Sequence, residues 1–135
     1  MENMWETYRY DGEGLQISYS NPAWMVGIKN YKPASDVANM NALERHLLTD
    51  ELFAPVTEGS VLVVKPAEDG APLTVQPMAV GSVYAIPKGQ WHNVVMRENG
   101  KLILAECSGT GVSNSEFYPL NESMREELRS LVAKL

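Results

Sequence analysis

The chain's two histidines, His92 just past a turn and His46 beside carboxylates, would suit a metal site or an acid–base pair. His92 ends the run Gly81-Ser82-Val83-Tyr84-Ala85-Ile86-Pro87-Lys88-Gly89-Gln90-Trp91-His92. There an apolar strand meets a Pro-x-Gly turn, and the imidazole follows on the first residues of the returning strand. His46 lies in Glu44-Arg45-His46, shortly before Asp50, Glu51 and a short apolar run. A sheet that brings the two imidazoles together would offer nitrogen donors to one divalent ion. The same groups without an ion would make a proton-transfer site.

Other residues have weaker claims. Tyr84 shares a strand face with Ile86, and an inward phenol needs a hydrogen-bond partner, so Tyr84 joins Glu51 as a candidate catalytic group. Arg45 and Lys88 are candidate cations for an anionic substrate. Met96 is a candidate apolar contact for the substrate, although packing is the plainer role for the chain's Met and aromatic side chains. Cys107 ends an apolar strand and reads as a small buried hydrophobe. As the only cysteine it excludes an intramolecular disulfide.

Elements that position these residues are mostly strands. Residues 15–19, 24–28, 60–65, 73–76, 82–86, 91–97 and 101–106 are short β-branched or alternating runs bounded by Gly, Pro, Asn or Asp. The run at 60–65 is apolar on both faces, as in a barrel wall. Glu98-Asn99-Gly100 predicts a hairpin that pairs the strands on either side of it. Residues 122–135 carry Met124, Leu128, Leu131, Val132 and Leu135 at helical spacing, with Asn121 as N-cap and Glu122 in the first turn. Residues 35–48 are ambiguous, because Val37, Met40, Leu43 and Leu47 also fit a helical stripe.

At 135 residues the chain suits one domain with its own core, and no linker or repeat divides it. A net charge of −6 with only 11 Lys and Arg residues gives no basic stripe for nucleic acid. No apolar run is long enough to span a membrane. The acidic start, Met1-Glu2-Asn3-Met4-Trp5-Glu6, is unlike a signal peptide, so the expected location is cytoplasmic.

The segment from Glu44 to His92 resembles the cupin superfamily. Gly81, Pro87, Gly89 and His92 stand at the offsets of the second cupin motif, with Met96 where an Asn is usual. In the first motif Glu44 occupies the place of the first His, His46 the second and Glu51 the Glu. Gly59 then closes the motif one residue late, as a bulge at Pro55 would cause. The resemblance implies an all-β, double-stranded β-helix (jelly-roll) barrel with a C-terminal α-helix, and it turns 43–46 from helix into strand. It also implies a divalent metal (Mn, Fe, Ni or Zn) held by Glu44, His46, Glu51 and His92. The Glu44-Arg45-His46 stretch is similar to the ureidoglycolate lyase (hydrolase) branch, which acts on a small ureido acid.

Two function classes follow. One is a metal-dependent lyase, hydrolase or isomerase acting on a small polar, anionic metabolite. The other is a metal-free cupin that binds a metabolite without turning it over. A third role, assembly through the β body, is compatible with both, and the expected state is a homodimer.

Overall fold

A computed structural model describes residues 4–135; residues 1–3, at the start of the acidic N-terminal stretch, lie outside the described part. Turn residues divide it into β1 (Gly14–Ser20), β2 (Trp24–Asn30), β3 (Ala42–His46), β4 (Glu51–Pro55), β5 (Val61–Lys65), β6 (Thr74–Pro77), β7 (Tyr84–Ile86), β8 (Trp91–Val95), β9 (Lys101–Cys107) and β10 (Ser115–Pro119). One helix, α1 (Glu122–Ala133), follows. The strands form two five-stranded antiparallel sheets, ordered β1-β2-β9-β4-β7 and β10-β3-β8-β5-β6.

Two-residue periodicity on these strands makes two apolar cores. On β5, Val61 and Val63 pack with Leu43, Trp91, Leu128 and Val132, while Leu62 and Val64 meet Phe53, Val94, Met96, Leu102 and Leu104. The second group joins both sheets and fills the space between them. The first covers the outer face of the second sheet and is closed by α1. The β5 run is apolar on both faces because each face is buried. The helix starts where expected: the Asn121 side chain accepts a 2.9 Å hydrogen bond from the Met124 N–H. No helix among the described residues is long and apolar enough to cross a membrane.

Three local expectations give way. Residues 35–48 are not a helix: a single 3-10 turn, Pro33–Ser35, precedes β3. Met40 and Leu43 pack in the outer core together with Val37, and β10 and β8 on either side of β3 supply its backbone partners. Local spacing matched a helix; the ladders decided otherwise. The turn at Glu98-Asn99-Gly100 exists, with Asn99 at φ 61°, but it does not pair β8 with β9. Both edges of β8 are already taken by β3 and β5, so β9 crosses to the other sheet and lies between β2 and β4. Pro55 carries no bulge, since β4 and β9 stay in register from Glu51–Glu106 to Pro55–Leu102. The bulge falls instead between Ile17 and Tyr19 on β1.

Candidate metal and substrate site

The Pro-x-Gly turn fixes the relation of the two histidines. Gly89 has φ 83°, a conformation an L side chain resists, and its N–H donates a 2.8 Å hydrogen bond to the His46 carbonyl. The turn before β8 is thereby tied to the end of β3. Glu44 of β3 stands directly opposite His92 of β8, and alternation sends Glu44, His46 and His92 to the inner face. From the other sheet, Glu51 of β4 and Glu106 of β9 are cross-strand partners facing the same space.

The side chains converge. His46 Nε2 lies 3.1 Å and His92 Nε2 2.9 Å from the same Glu51 Oε1. His46 Nε2 is also 3.8 Å from Glu44 Oε1 and 3.7 Å from Glu106 Oε2. His92, His46, Glu51 and Glu106 are all buried, and Glu44 is half-buried toward the opening. They line a cavity of about 230 Å³ that also takes in Lys29, Phe53 and Phe117. That volume suits a small metabolite rather than a drug-sized ligand.

Hydrogen bonding defines what the cluster needs. His92 Nδ1 is 2.9 Å from the Gln90 carbonyl, an acceptor only, so Nδ1 carries the proton and donates. A neutral His92 then presents a bare Nε2 lone pair toward a carboxylate oxygen. Two acceptors at 2.9 Å need a cation or a proton between them. Ser115 Oγ, 2.8 Å from His46 Nδ1, orients the second ring. One donor atom from each of Glu44, His46, Glu51 and His92 lies within 4.8 Å of the others. Donors bound at about 2.1 Å around a first-row ion stand about 3–4 Å apart, so a small contraction would seat one. Glu106 Oε2, buried without a hydrogen-bond partner, adds an unsatisfied oxygen to the same space. The donor set fits a divalent cation.

The charges push the groups apart. Burial would raise the Glu51 carboxyl, but the hydrogen bonds from His46 and His92 and their charge outweigh it and hold it down at about 2. Burial, then the neighbouring charge of Glu51, pushes Glu106 up to about 8. The hydrogen bond to Glu51 raises His46 above its usual value against the opposing effect of burial.

No protein-family profile matches the chain. Ureidoglycolate lyase from Chelativorans sp. (strain BNC1) is 27% identical over 124 residues, which is 86% of this chain and 74% of that protein. Pac13, a nucleoside dehydratase from Streptomyces, superposes with a TM-score of 0.57 at 9% identity, over 86% of this chain and 88% of its own. A Planctomyces limnophilus protein gives 0.55 at 10% identity, over 75% of this chain and 79% of that one. The structural likenesses establish the barrel, and the turn-anchored histidine is in its motif position. The chain has a double-stranded β-helix barrel fold.

Within this barrel, Glu44, His46, Glu51 and His92 come together as the motif resemblance implies. Four other candidates lie outside the cavity wall. Tyr84 half-buries its ring against the inner core, and its hydroxyl accepts a 2.8 Å hydrogen bond from the Ala79 N–H. Arg45 alternates to the outer face, where it lies 4.4 Å over the Trp91 ring and 2.6 Å from Glu116. Lys88 is exposed on the turn, held by its main-chain N–H to Asp50 Oδ1 at 2.9 Å. Met96 is 1% exposed and packs in the inner core. Cys107 is exposed rather than buried, because inward Leu102, Leu104 and Glu106 leave residue 107 on the outer face.

Sequence reasoning passed over Glu106 and Lys29. Leu102-x-Leu104-x-Glu106 places a carboxylate in the inward phase of an apolar strand, and that signal was available. Lys29 lies near the end of β2 in the same phase as Met25 and Gly27, but its strand alone does not say which face is inside.

Proposed function

We propose that this chain is a cupin and a metal-dependent enzyme, of lyase type, acting on a small polar carboxylic acid of the ureido acid class. One observation carries the reading: two imidazole Nε2 atoms and the Glu44 and Glu51 carboxylates converge in a buried pocket of metabolite size. Similarity to a ureidoglycolate lyase supports the substrate class. A divalent ion held by Glu44, His46, Glu51 and His92 would supply Lewis-acid polarisation of substrate oxygens.

The chain's own residues do the rest. The Gln90 carbonyl and Ser115 Oγ lock the two rings, so their Nε2 atoms point into the pocket at no further ordering cost. Phe53 and Leu104 exclude water from the floor. Glu106, unpartnered at Oε2, is placed to exchange a proton with a bound substrate. For a ureido acid bearing a hydroxyl on the same carbon, the C–N bond breaks and the hydroxyl becomes a carbonyl. The hydroxyl proton is lost and the departing nitrogen gains one, so urea leaves.

The test is release of glyoxylate and urea from ureidoglycolate by manganese- or zinc-loaded protein, with His92→Ala as control. Release by the wild type and loss in the variant support the reading; no release from any ureido acid with metal bound contradicts the substrate class.

A second reading is a metal-free metabolite binder, and one observation favours it. Glu51 is already paired by both histidines, so the cluster can close as a charge-neutralised network without an ion. Thermal stabilisation by a ligand in chelator-treated protein would support this alternative.

We further propose that the molecule works as a homodimer. Trp24 and Leu52 lie 49% and 41% exposed on the first sheet, whose outer face has no counterpart to the helix that covers the second.

A further inference from the structure

The other three basic side chains on the strands already have partners. Arg45 pairs with Glu116 and stacks on Trp91. Lys65, 1% exposed, donates to the Pro66 and Glu68 carbonyls at 2.9 and 2.8 Å. Lys101 donates to the Tyr10 carbonyl and meets Asp11 at 3.3 Å. Lys29 differs. It lines the cavity, is half-buried, and has neither an ion-pair nor a hydrogen-bond partner for its ammonium among the described residues.

Its position is built by the strands. On β2, Lys29 lies opposite Leu102 of β9 and Leu15 of β1, and Leu15 also lines the cavity. Two residues earlier, a Cβ on Gly27 would sit 2.6 Å from Leu15 Cδ1, so a glycine there is what lets Leu15 fold over the strand. Leu15 in turn narrows the opening beside Lys29. Desolvation by the surrounding barrel pulls the Lys29 pKa below its usual value, while Glu44, Glu51 and Glu106 pull the other way from a distance. Lys32, exposed at the same opening, adds a second cation.

We infer that Lys29 is a substrate-binding residue that anchors the carboxylate of a small monoanionic substrate, whose other end faces the Glu and His cluster. The inference rests on the reading of this cavity as a substrate pocket. A half-buried ammonium without a partner is unfavourable unless something charged meets it. The cluster carboxylates supply that charge only at long range. Once a divalent cation offsets their charge, the two lysines are left as surplus positive charge at the opening. An anion restores the balance and forms a charge-assisted hydrogen bond with Lys29. The same charge disfavours neutral isosteres, which leave the ammonium unpaired. Lys29 therefore sets specificity for acids over their amides.

Oxamate and oxamide test this directly, because they differ by one charge and little in shape. Binding of each is measured by calorimetry to zinc-loaded wild type, Lys29→Met and Lys29→Arg, after zinc affinity has been measured separately. Oxamate should bind wild type about tenfold or more tighter than oxamide, as a charge-assisted bond worth about 1.5–3 kcal/mol implies. Lys29→Met should lose that preference while zinc affinity is kept or rises and the melting temperature does not fall. Lys29→Arg should retain most of it. Equal binding of oxamate and oxamide to wild type, no oxamate binding, or unchanged preference in Lys29→Met would overturn the inference. The wild-type comparison needs no variant to fold. If zinc fails to bind wild type, the metal reading fails by itself. The oxamate–oxamide comparison on metal-free protein then still decides the role of Lys29.

Discussion

Glu51 is the residue on which the site turns. It is buried, holds both imidazole Nε2 atoms within 3.1 Å of one oxygen, and stays ionised because they outweigh its burial. Its cross-strand neighbour Glu106 takes the opposite course. Two carboxylates held apart in this way are a common mark of sites that bind cations or move protons. The signs give a test in metal-free protein. Glu106, raised from 4.5 to about 8 on folding, contributes stability that is full below pH 4.5 and is lost as pH rises through about 8. His46, raised above 6.5, likewise loses its contribution as pH rises. Glu51, lowered from 4.5 to about 2, loses its contribution only as pH falls through about 2. The melting temperature should therefore fall between pH 5 and 8, and Glu106→Gln should shrink that fall by about 3–6 °C. A fall as steep in Glu106→Gln as in wild type would contradict the assignment. In metal-loaded enzyme the same variant should lower kcat more than it raises KM.

At the scale of elements, strand alternation explains most of what the residues do. One residue of phase separates Glu44 and His46, in the cavity, from Arg45, stacked outside on Trp91. The Pro87-x-Gly89 turn, seven of the ten strands and the Asn121 cap were legible, because each rests on local chemistry at fixed offsets, and the motif resemblance supplied the four-residue Glu and His set. Pairing was not. Nothing local in residues 91–106 says that β8 is flanked by β3 and β5, so the hairpin expected at Asn99 became a crossing between sheets. β10 was missed because Ser115-Glu116-Phe117-Tyr118-Pro119 lacks an apolar alternation; it forms by completing the edge beside β3. The same gap hid Lys29, which lines the cavity, while Arg45 and Lys88 lie outside its wall. Because α1 seals the outer core and not the cavity, its damage should spare the site. Leu128→Ala, at a position 0% exposed, should lower stability by about 2–5 kcal/mol in denaturant titration while metal affinity stays within a few fold. A large loss of metal affinity with unchanged stability would show that the helix and the site are coupled in some other way.

For the whole molecule, the two sheets have different fates. The second is covered on its outer side by α1; the first leaves Trp24, Leu52 and Cys107 at its surface. Apolar surface of this kind on a small protein usually marks an interface. Light scattering should give twice the 15.0 kDa chain mass, and Trp24→Glu with Leu52→Glu should shift it toward the single chain. A single-chain mass for the wild type at micromolar concentration would contradict the dimer.

The central claim is that the Glu44, His46, Glu51 and His92 cluster is a metal centre, and metal content tests it most directly. Protein purified without chelator or nickel resin is analysed by elemental mass spectrometry beside a folded His92→Ala variant. The account predicts close to one divalent ion per wild-type chain and a large loss in the variant. No ion in the wild type, and none taken up on addition of manganese, iron, nickel or zinc, would contradict it.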